Sequence, residues 1–295
     1  MRILFIGTVQ FSKDALLKLI ELKANVVGVI TKDKSSFNSD FADLKSICDV
    51  KKIDCICVDK INDPKVLDFS QAKRPDIIFC FGWSALLAES FLTLAPMGVV
   101  GYHPALLPKN RGRHPLIWAL ALGLKETGST FFFMDKGADS GDILSQRKIP
   151  VSLRDNAATL YQKMTRTALL QIKEFLPALQ KGRYTRIKQD HARANSWRKR
   201  QETDGQIDWR MSSRVVYNLV RALTKPYPGA YFLYKGKKII VWDVQEVKLN
   251  DQENIEPGKV LSTNYKRKIL VKTGDKAVCL KKSPFLSGLK KGDYL

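Results

Sequence analysis

The chain has 295 residues, 44% of them hydrophobic, and a formal net charge of +21. That length and apolar share suit a globular protein of one large domain or a large and a small one, and no apolar run reaches the roughly 20 residues that a bilayer-spanning helix needs. The excess of cations is compatible with nucleic acid, an anionic membrane surface or a phosphate-bearing small substrate, and its dispersal along the chain selects none of the three.

Residues 2–7 read as a buried strand that closes on Gly7-Thr8, not as a signal peptide. Residues 13–22 then place Ala15, Leu16, Leu19, Ile20 and Leu22 on one helical face, and residues 25–31 form the next apolar strand. This opening predicts an α/β fold: a mostly parallel open sheet with helices on both faces and right-handed crossovers. The first turn has a single glycine, so the G-x-G-x-x-G fingerprint is missing and a nicotinamide cofactor is disfavoured. Residues 32–40 are a polar, serine-rich connection expected to be mobile. A helix at 41–51, a strand at 53–58, a short helix at 63–69 and a fully apolar strand at 75–81 follow, the last ending at Gly82-Trp83. Cys48, Cys55, Cys57, Cys80 and Cys279 are odd in number and contain no CxxC pair, so they read as reduced structural thiols. Together with the lack of an export signal they point to the cytoplasm.

Residues 99–146 hold most of the chemistry. A strand ends at His103, and a loop over 107–115 carries Lys109, Arg111, Gly112, Arg113 and His114. A helix at 116–122 and a β-prone run at 129–134 precede an acidic turn with Asp135, Asp139 and Asp142, then another short strand. One histidine and several carboxylates therefore gather at strand ends, where open α/β sheets bind their ligands. Beyond a strand at 149–151, a helix over 156–179 contains Pro177, which predicts a kink or break. Residues 180–203 are polar and basic without periodicity and read as a linker region, with His191 a solvated loop residue. Turn signals at 227–229 and 235–237 between alternating strands predict a small C-terminal β-barrel. The expected limits are 1–190 for the first domain, 191–203 for the linker and 204–295 for the barrel.

The ordered set His103, Leu106-Leu107-Pro108, Arg111-Gly112, Pro115 and Asp139-Ser140-Gly141 resembles the core motif of enzymes that transfer a formyl group from 10-formyltetrahydrofolate to an amine. Asp208-Trp209, Asn218, Arg221-Ala222 and Pro228-Gly229-Ala230 are similar to the C-terminal barrel of the formyltransferases of methionyl-tRNA and of lipid A arabinose, so the resemblance extends over nearly all of residues 1–280. It implies a Rossmann-like formyltransferase domain, an OB-like barrel, 10-formyltetrahydrofolate as co-substrate and no metal. By match to the motif, His103 is the proton carrier and Asp139 its partner. Phe81, Gly82, Trp83, Leu86 and Leu87 stand where the family holds the pterin ring, with Asp135 beside them. Taken alone, Phe81 and Trp83 read as core aromatics. One position departs from the motif, because the family's oxyanion-stabilising Asn is Gly101 here. Water, a main-chain N–H or another side chain could fill the space, and Gly101→Asn is expected to leave folding unharmed.

For the acceptor, Lys109, Arg111 and Arg113 suit a phosphorylated substrate, and His114 reads equally as a substrate contact or a surface residue. The short stretch 32–40 lacks the long basic insertion of the tRNA enzymes. Trp118-Ala-Leu and Gly82-Trp-Ser look more like the sugar branch. The resulting expectation is an N-formyltransferase for a nucleotide-linked amino sugar, a small-molecule partner. A methionyl-tRNA formyltransferase is the alternative, and a non-catalytic RNA- or ligand-binding descendant, motivated by Gly101, is a third possibility.

Overall fold

The computed structural model describes residues 1–34, 40–249, 254–281, 286 and 288–295, which group into two compact units. The first comprises Met1–Pro115, Thr127–Ile149 and Gln162–Arg198. Its strands and helices are set by alternating apolar runs and amphipathic stretches: β1 (Arg2–Ile6), α1 (Gln10–Glu21), β2 (Asn25–Thr31), α2 (Lys45–Lys51), β3 (Cys55–Cys57), α3 (Pro64–Ala72), β4 (Ile77–Cys80), α4 (Glu89–Leu92) and β5 (Val99–His103). Next in chain order come β6 (Arg111–Gly112), α5 (Pro115–Ala121), β7 (Glu126–Phe133), β8 (Ile143–Pro150), α6 (Ala157–Gln180) and β9 (Ser196–Trp197), of which nearly all of α5 and the start of α6 fall in the second unit.

Seven strands form one sheet in the order β3-β2-β1-β4-β5-β7-β8, with β1 to β5 parallel and β7 antiparallel to β5. Ile3, Leu4, Phe5 and Ile6 of β1 are all fully buried, so this strand has no solvent face and reads as a continuous apolar run. On α1, Ala15, Leu16 and Leu19 supply the buried stripe. Asp63 caps α3 by accepting from the Lys65 N–H, and Pro64 stands in the first turn, where a missing N–H costs nothing.

Several boundaries differ from the sequence expectation. Residue 41 pairs with Val9 as an isolated bridge, which delays α2 to Lys45. A single eight-residue strand, β8, replaces the two short ones expected around 143 and 149–151. Helix α6 continues through Pro177 to Gln180. Residues 35–39, the centre of the stretch expected to be mobile, lie outside the described residues. The presumed linker region carries order of its own: Ile187 bridges Ile143, His191–Arg193 form a 3-10 turn and β9 pairs with β6.

The second unit comprises Leu116–Glu126, Pro150–Tyr161 and Lys199–Leu295. It contains α7 (Ser213–Leu223), β10 (Ala230–Tyr234), β11 (Lys237–Val241), β12 (Val244–Val247), β13 (Val260–Tyr265), β14 (Lys268–Lys272) and β15 (Ala277–Lys281). All pair antiparallel, as a β10-β11 hairpin and a sheet in the order β12-β15-β14-β13. Two of the motif residues of this unit, Trp209 and Arg221, serve its packing. Trp209 meets Phe232 edge-on at 5.3 Å, and buried Arg221 donates to Asn218 Oδ1 and to the carbonyls of Ser152 and Asp155, each at 2.9 Å.

Candidate active site

The carboxyl end of β5 delivers His103, a side chain with two ring nitrogens, into the interior, where it is 4% exposed. Each nitrogen faces an oxygen: Nε2 lies 2.7 Å from the Asn110 carbonyl, and Nδ1 lies 3.4 Å from Asp139 Oδ2. A carbonyl can only accept, so Nε2 carries a hydrogen and the tautomer follows from the contact. Nδ1 is then the nitrogen beside the carboxylate. The structure thus brings together the two residues that the motif singles out.

Two glycines make this meeting possible. The turn after β7 must fold back for Asp139 to reach His103, and a Cβ at Gly141 would lie 1.8 Å from the Phe133 carbonyl oxygen. Gly112, at φ +96°, donates its N–H to Asp139 Oδ2 at 2.9 Å, and a Cβ there would lie 2.4 Å from the Trp197 carbonyl oxygen. The Arg-Gly and Asp-x-Gly spacings therefore record places where backbone passes against backbone. Asp135 closes the acidic turn from within: its Oδ1 accepts from the Gly137 N–H at 2.9 Å and the Ser140 hydroxyl at 2.6 Å.

Gly101 is not beside an open space. It pairs directly with Phe132 across β5 and β7, and opposed residues on one face of a sheet stand close together. With no side chain on Gly101, the Phe132 ring and Met134 cover it. A Cβ there would meet Met134 Cγ at 3.0 Å and Phe132 Cε1 and Cζ at 3.1 Å. The sequence expectation was that Gly101→Asn leaves folding unharmed; with this apolar cover, Phe132 and Met134 must give way before a side chain fits.

The loop after β4 divides its residues differently from the sequence expectation. Phe81 is fully buried, stacked on Phe79 at 5.1 Å and edge-on to Phe5 and Phe131, so its ring belongs to the core and not to a ligand surface. Gly82 and Trp83 are half-buried, with Lys32 Nζ 5.3 Å above the indole. Leu87 is buried and Leu86 is 61% exposed. Asn62 fixes this segment, donating to the Leu86 carbonyl and accepting from the Ala88 N–H.

The three cations of the loop 107–115 also separate. Lys109 and Arg113 are exposed, and Arg113 Nη1 donates to the Ser84 carbonyl at 2.8 Å. Arg111 is 9% exposed and turns inward, where Nη2 donates to Gln189 Oε1 at 2.6 Å and to His191 Nδ1 at 3.1 Å. A guanidinium held this way is not a surface phosphate clamp, and His191 is a partner of it, not a merely solvated loop residue. His114 is half-buried with φ +55°. Sequence reasoning missed Gln189, whose Nε2 donates to the carbonyls of Asp139 and Gly141 at 2.9 and 2.6 Å. Its only sequence signal was a polar residue in an aperiodic stretch. Among the described residues no group of three or more His, Cys, Asp or Glu is placed to hold a metal ion, and all five cysteines are free thiols.

A family described as formyl transferase matches residues 1–172, and the formyl transferase C-terminal domain matches residues 199–287. Methionyl-tRNA formyltransferase from Caldanaerobacter subterraneus subsp. tengcongensis is 34% identical over 283 residues, 94% of this chain and 90% of that protein. The bifunctional polymyxin resistance protein ArnA from Wigglesworthia glossinidia brevipalpis is 36% identical over 248 residues, 83% of this chain and 38% of ArnA, so the chain spans well under half of that relative. Among solved structures, the N-formyltransferase from Helicobacter canadensis in complex with folinic acid and dTDP-3-aminofucose has the same fold. Its TM-score is 0.71 at 16% identity, over 95% of this chain and 99% of that one.

Proposed function

The chain belongs to the formyl transferase family, and we propose that it transfers a formyl group from 10-formyltetrahydrofolate to the amine of a nucleotide-linked amino sugar. The observation that carries the chemistry is the His103–Asp139 pair at the end of β5. In this reading the uncharged amine attacks the formyl carbon, a C–N bond forms, and the tetrahedral oxyanion collapses with cleavage of the bond to the folate nitrogen. The amine's proton passes to the pair at the Nδ1 side of His103 and from there to the leaving nitrogen. Asp139 orients the ring and steadies its cation. The segment Gly82 to Leu87, pinned by Asn62, is assigned to the pterin. Asp135 acts there by shaping the turn that carries Asp139.

Gly101 lacks the side-chain donor that the family motif supplies at that position, and Phe132 and Met134 cover the place where it would start. Loss of one oxyanion donor typically costs about 10² to 10³ in turnover, so this reading expects a slow enzyme. Lys109 and Arg113, exposed at the rim, suit a diphosphate. The free thiols fit a reducing compartment, which we take to be the cytoplasm. A second reading, formylation of methionyl-tRNA, is favoured by the 34% identity that extends over 94% of this chain.

Mass-spectrometric detection of formyl transfer from 10-formyltetrahydrofolate, run against a panel of amino-sugar nucleotides and against charged initiator tRNA, separates the two. A formylated sugar nucleotide supports the first reading, and formylmethionyl-tRNA the second. Transfer to neither would favour a binding protein without the reaction.

A further inference from the structure

Residues between the two family matches, 173–198, are covered by neither of them. Yet the loop that caps His103 depends on this stretch for its shape. Asn110, Gly112 and His114 all have positive φ, 65°, 96° and 55°, and such a conformation is disfavoured for residues with a side chain unless something holds it. The hold comes from residues 195–197. The Asn110 N–H donates to Asn195 Oδ1 at 2.9 Å, the Arg111 N–H to the Asn195 carbonyl at 3.0 Å, and the Arg113 N–H to the Trp197 carbonyl at 3.0 Å. Parallel pairing of Arg111 with Ser196 and of Gly112 with Trp197 completes the template.

We propose that Asn195 is a positioning residue of the active site. Its side-chain oxygen holds the Asn110 N–H, and its main-chain oxygen accepts from the Arg111 N–H, which shares a peptide group with the Asn110 carbonyl; the two bonds clamp Asn110 at positive φ with that carbonyl aimed at His103 Nε2, and so steady the tautomer and orientation of the imidazole. Asn195 itself touches no reacting atom. Its side chain is the one contact to Asn110 that a substitution removes cleanly, because the other bonds from 195–197 run through main-chain carbonyls and survive any change of side chain. Asn195 is also exposed, so its loss leaves no buried polar group unsatisfied and should hardly affect stability. The kinetic consequence rests on the formyl transfer proposed above, whereas the geometric one does not.

Two measurements on the full chain test this. In Asn195→Ala, kcat for formyl transfer should fall about three- to tenfold, as expected for losing one neutral hydrogen bond, while KM for the folate changes little. Asn195→Asp, which keeps the acceptor oxygen, should restore it. Independently, NMR of protein labelled with ¹⁵N-histidine should show a protected His103 Nε2–H, assigned by its disappearance in His103→Gln. That proton should exchange faster with solvent in Asn195→Ala, where only the main-chain half of the clamp remains, and regain its protection in Asn195→Asp. Only three histidines are present, so the spectrum is simple. An Asn195→Ala protein that keeps the wild-type Nε2–H protection overturns the proposal, as does one with wild-type or higher kcat in any formyl transfer that the parent performs. If the parent transfers no formyl group, the functional reading fails alone and the NMR result still decides the role of Asn195.

Discussion

Restoring the family's asparagine by Gly101→Asn should destabilise the protein, and the structure indicates by how much. The backbone at Gly101 is ordinary extended strand, so an L-residue is accepted there, and removing glycine from a strand returns roughly 0.5–1 kcal/mol. Against this, the new Cβ begins 3.0 Å from Met134 Cγ and 3.1 Å from two atoms of the Phe132 ring. Phe132 is 3% exposed and packed with Leu107 and Ile143, so it has little room to retreat. Inserting atoms into such a place costs about 1–3 kcal/mol. An amide buried there without a partner adds about 1–3 kcal/mol more. The net expectation is a loss of about 1–5 kcal/mol. Gly101→Ala should stay within about 1 kcal/mol of the parent, because the flexible, half-buried Met134 can yield to one methyl group. In Gly101→Asn combined with Met134→Ala, the amide gains space, and turnover should exceed that of Met134→Ala alone. Urea unfolding midpoints for the parent and the four variants, with single-turnover transfer rates beside them, test the reasoning. A single Gly101→Asn protein that is as stable as the parent and turns over faster would refute it, for the Asn would then have found room that Phe132 and Met134 are said to occupy.

Three further outcomes are expected. His103→Ala and Asp139→Asn should each lower kcat by about 10² to 10⁴, the range for a lost general acid–base group, with far-ultraviolet circular dichroism unchanged; normal turnover in either would remove the pair from the mechanism. Raising the salt concentration should change KM for a sugar-nucleotide acceptor only mildly, since few cations meet its diphosphate, whereas binding to tRNA would weaken with a steep log–log slope in a filter assay. The C-terminal unit should lose stability in acid partly through Asp275. Burial pushes its carboxyl up, but the N–H groups of Ser213 and Lys276 outweigh this and hold it below the ordinary value. A depressed carboxyl contributes stability that is complete above its unfolded value of about 3.9 and is lost as pH falls through the lower folded value. Asp275→Asn should therefore flatten the stability profile below about pH 4 in acid titrations followed by tryptophan fluorescence.

Much of the first unit could be read from the chain because its signals are local. Strand β2 was expected over 25–31 and is found there, since five of its seven residues, Val26, Val27, Val29, Ile30 and Thr31, are strand formers. His103 and Asp139 were legible because the motif fixes their spacing and glycines, and backbone packing at Gly112 and Gly141 is the physical content of that motif. Other features depended on pairing. Whether Gly101 adjoins water or a ring is decided by its register with Phe132, and nothing in residues 99–103 reveals that register. Phe81 looks the same in sequence whether it lines a ligand or stacks on Phe79. Gln189, His191 and Asn195 act through individual polar contacts to distant residues, which leave no periodic trace, so the stretch that holds the loop looked like a connector.

Backbone fills the space behind both motif glycines, so neither Gly112 nor Gly141 can take a side chain without moving main chain. Lys109 and Arg113 point the other way, exposed on a loop whose path is set by residues 195–197. An engineer seeking a different acceptor should concentrate a library on these two rim positions and leave 110–112 and 139–141 untouched. These exposed positions can vary at little cost in stability, while the pair proposed to move the proton stays where it is.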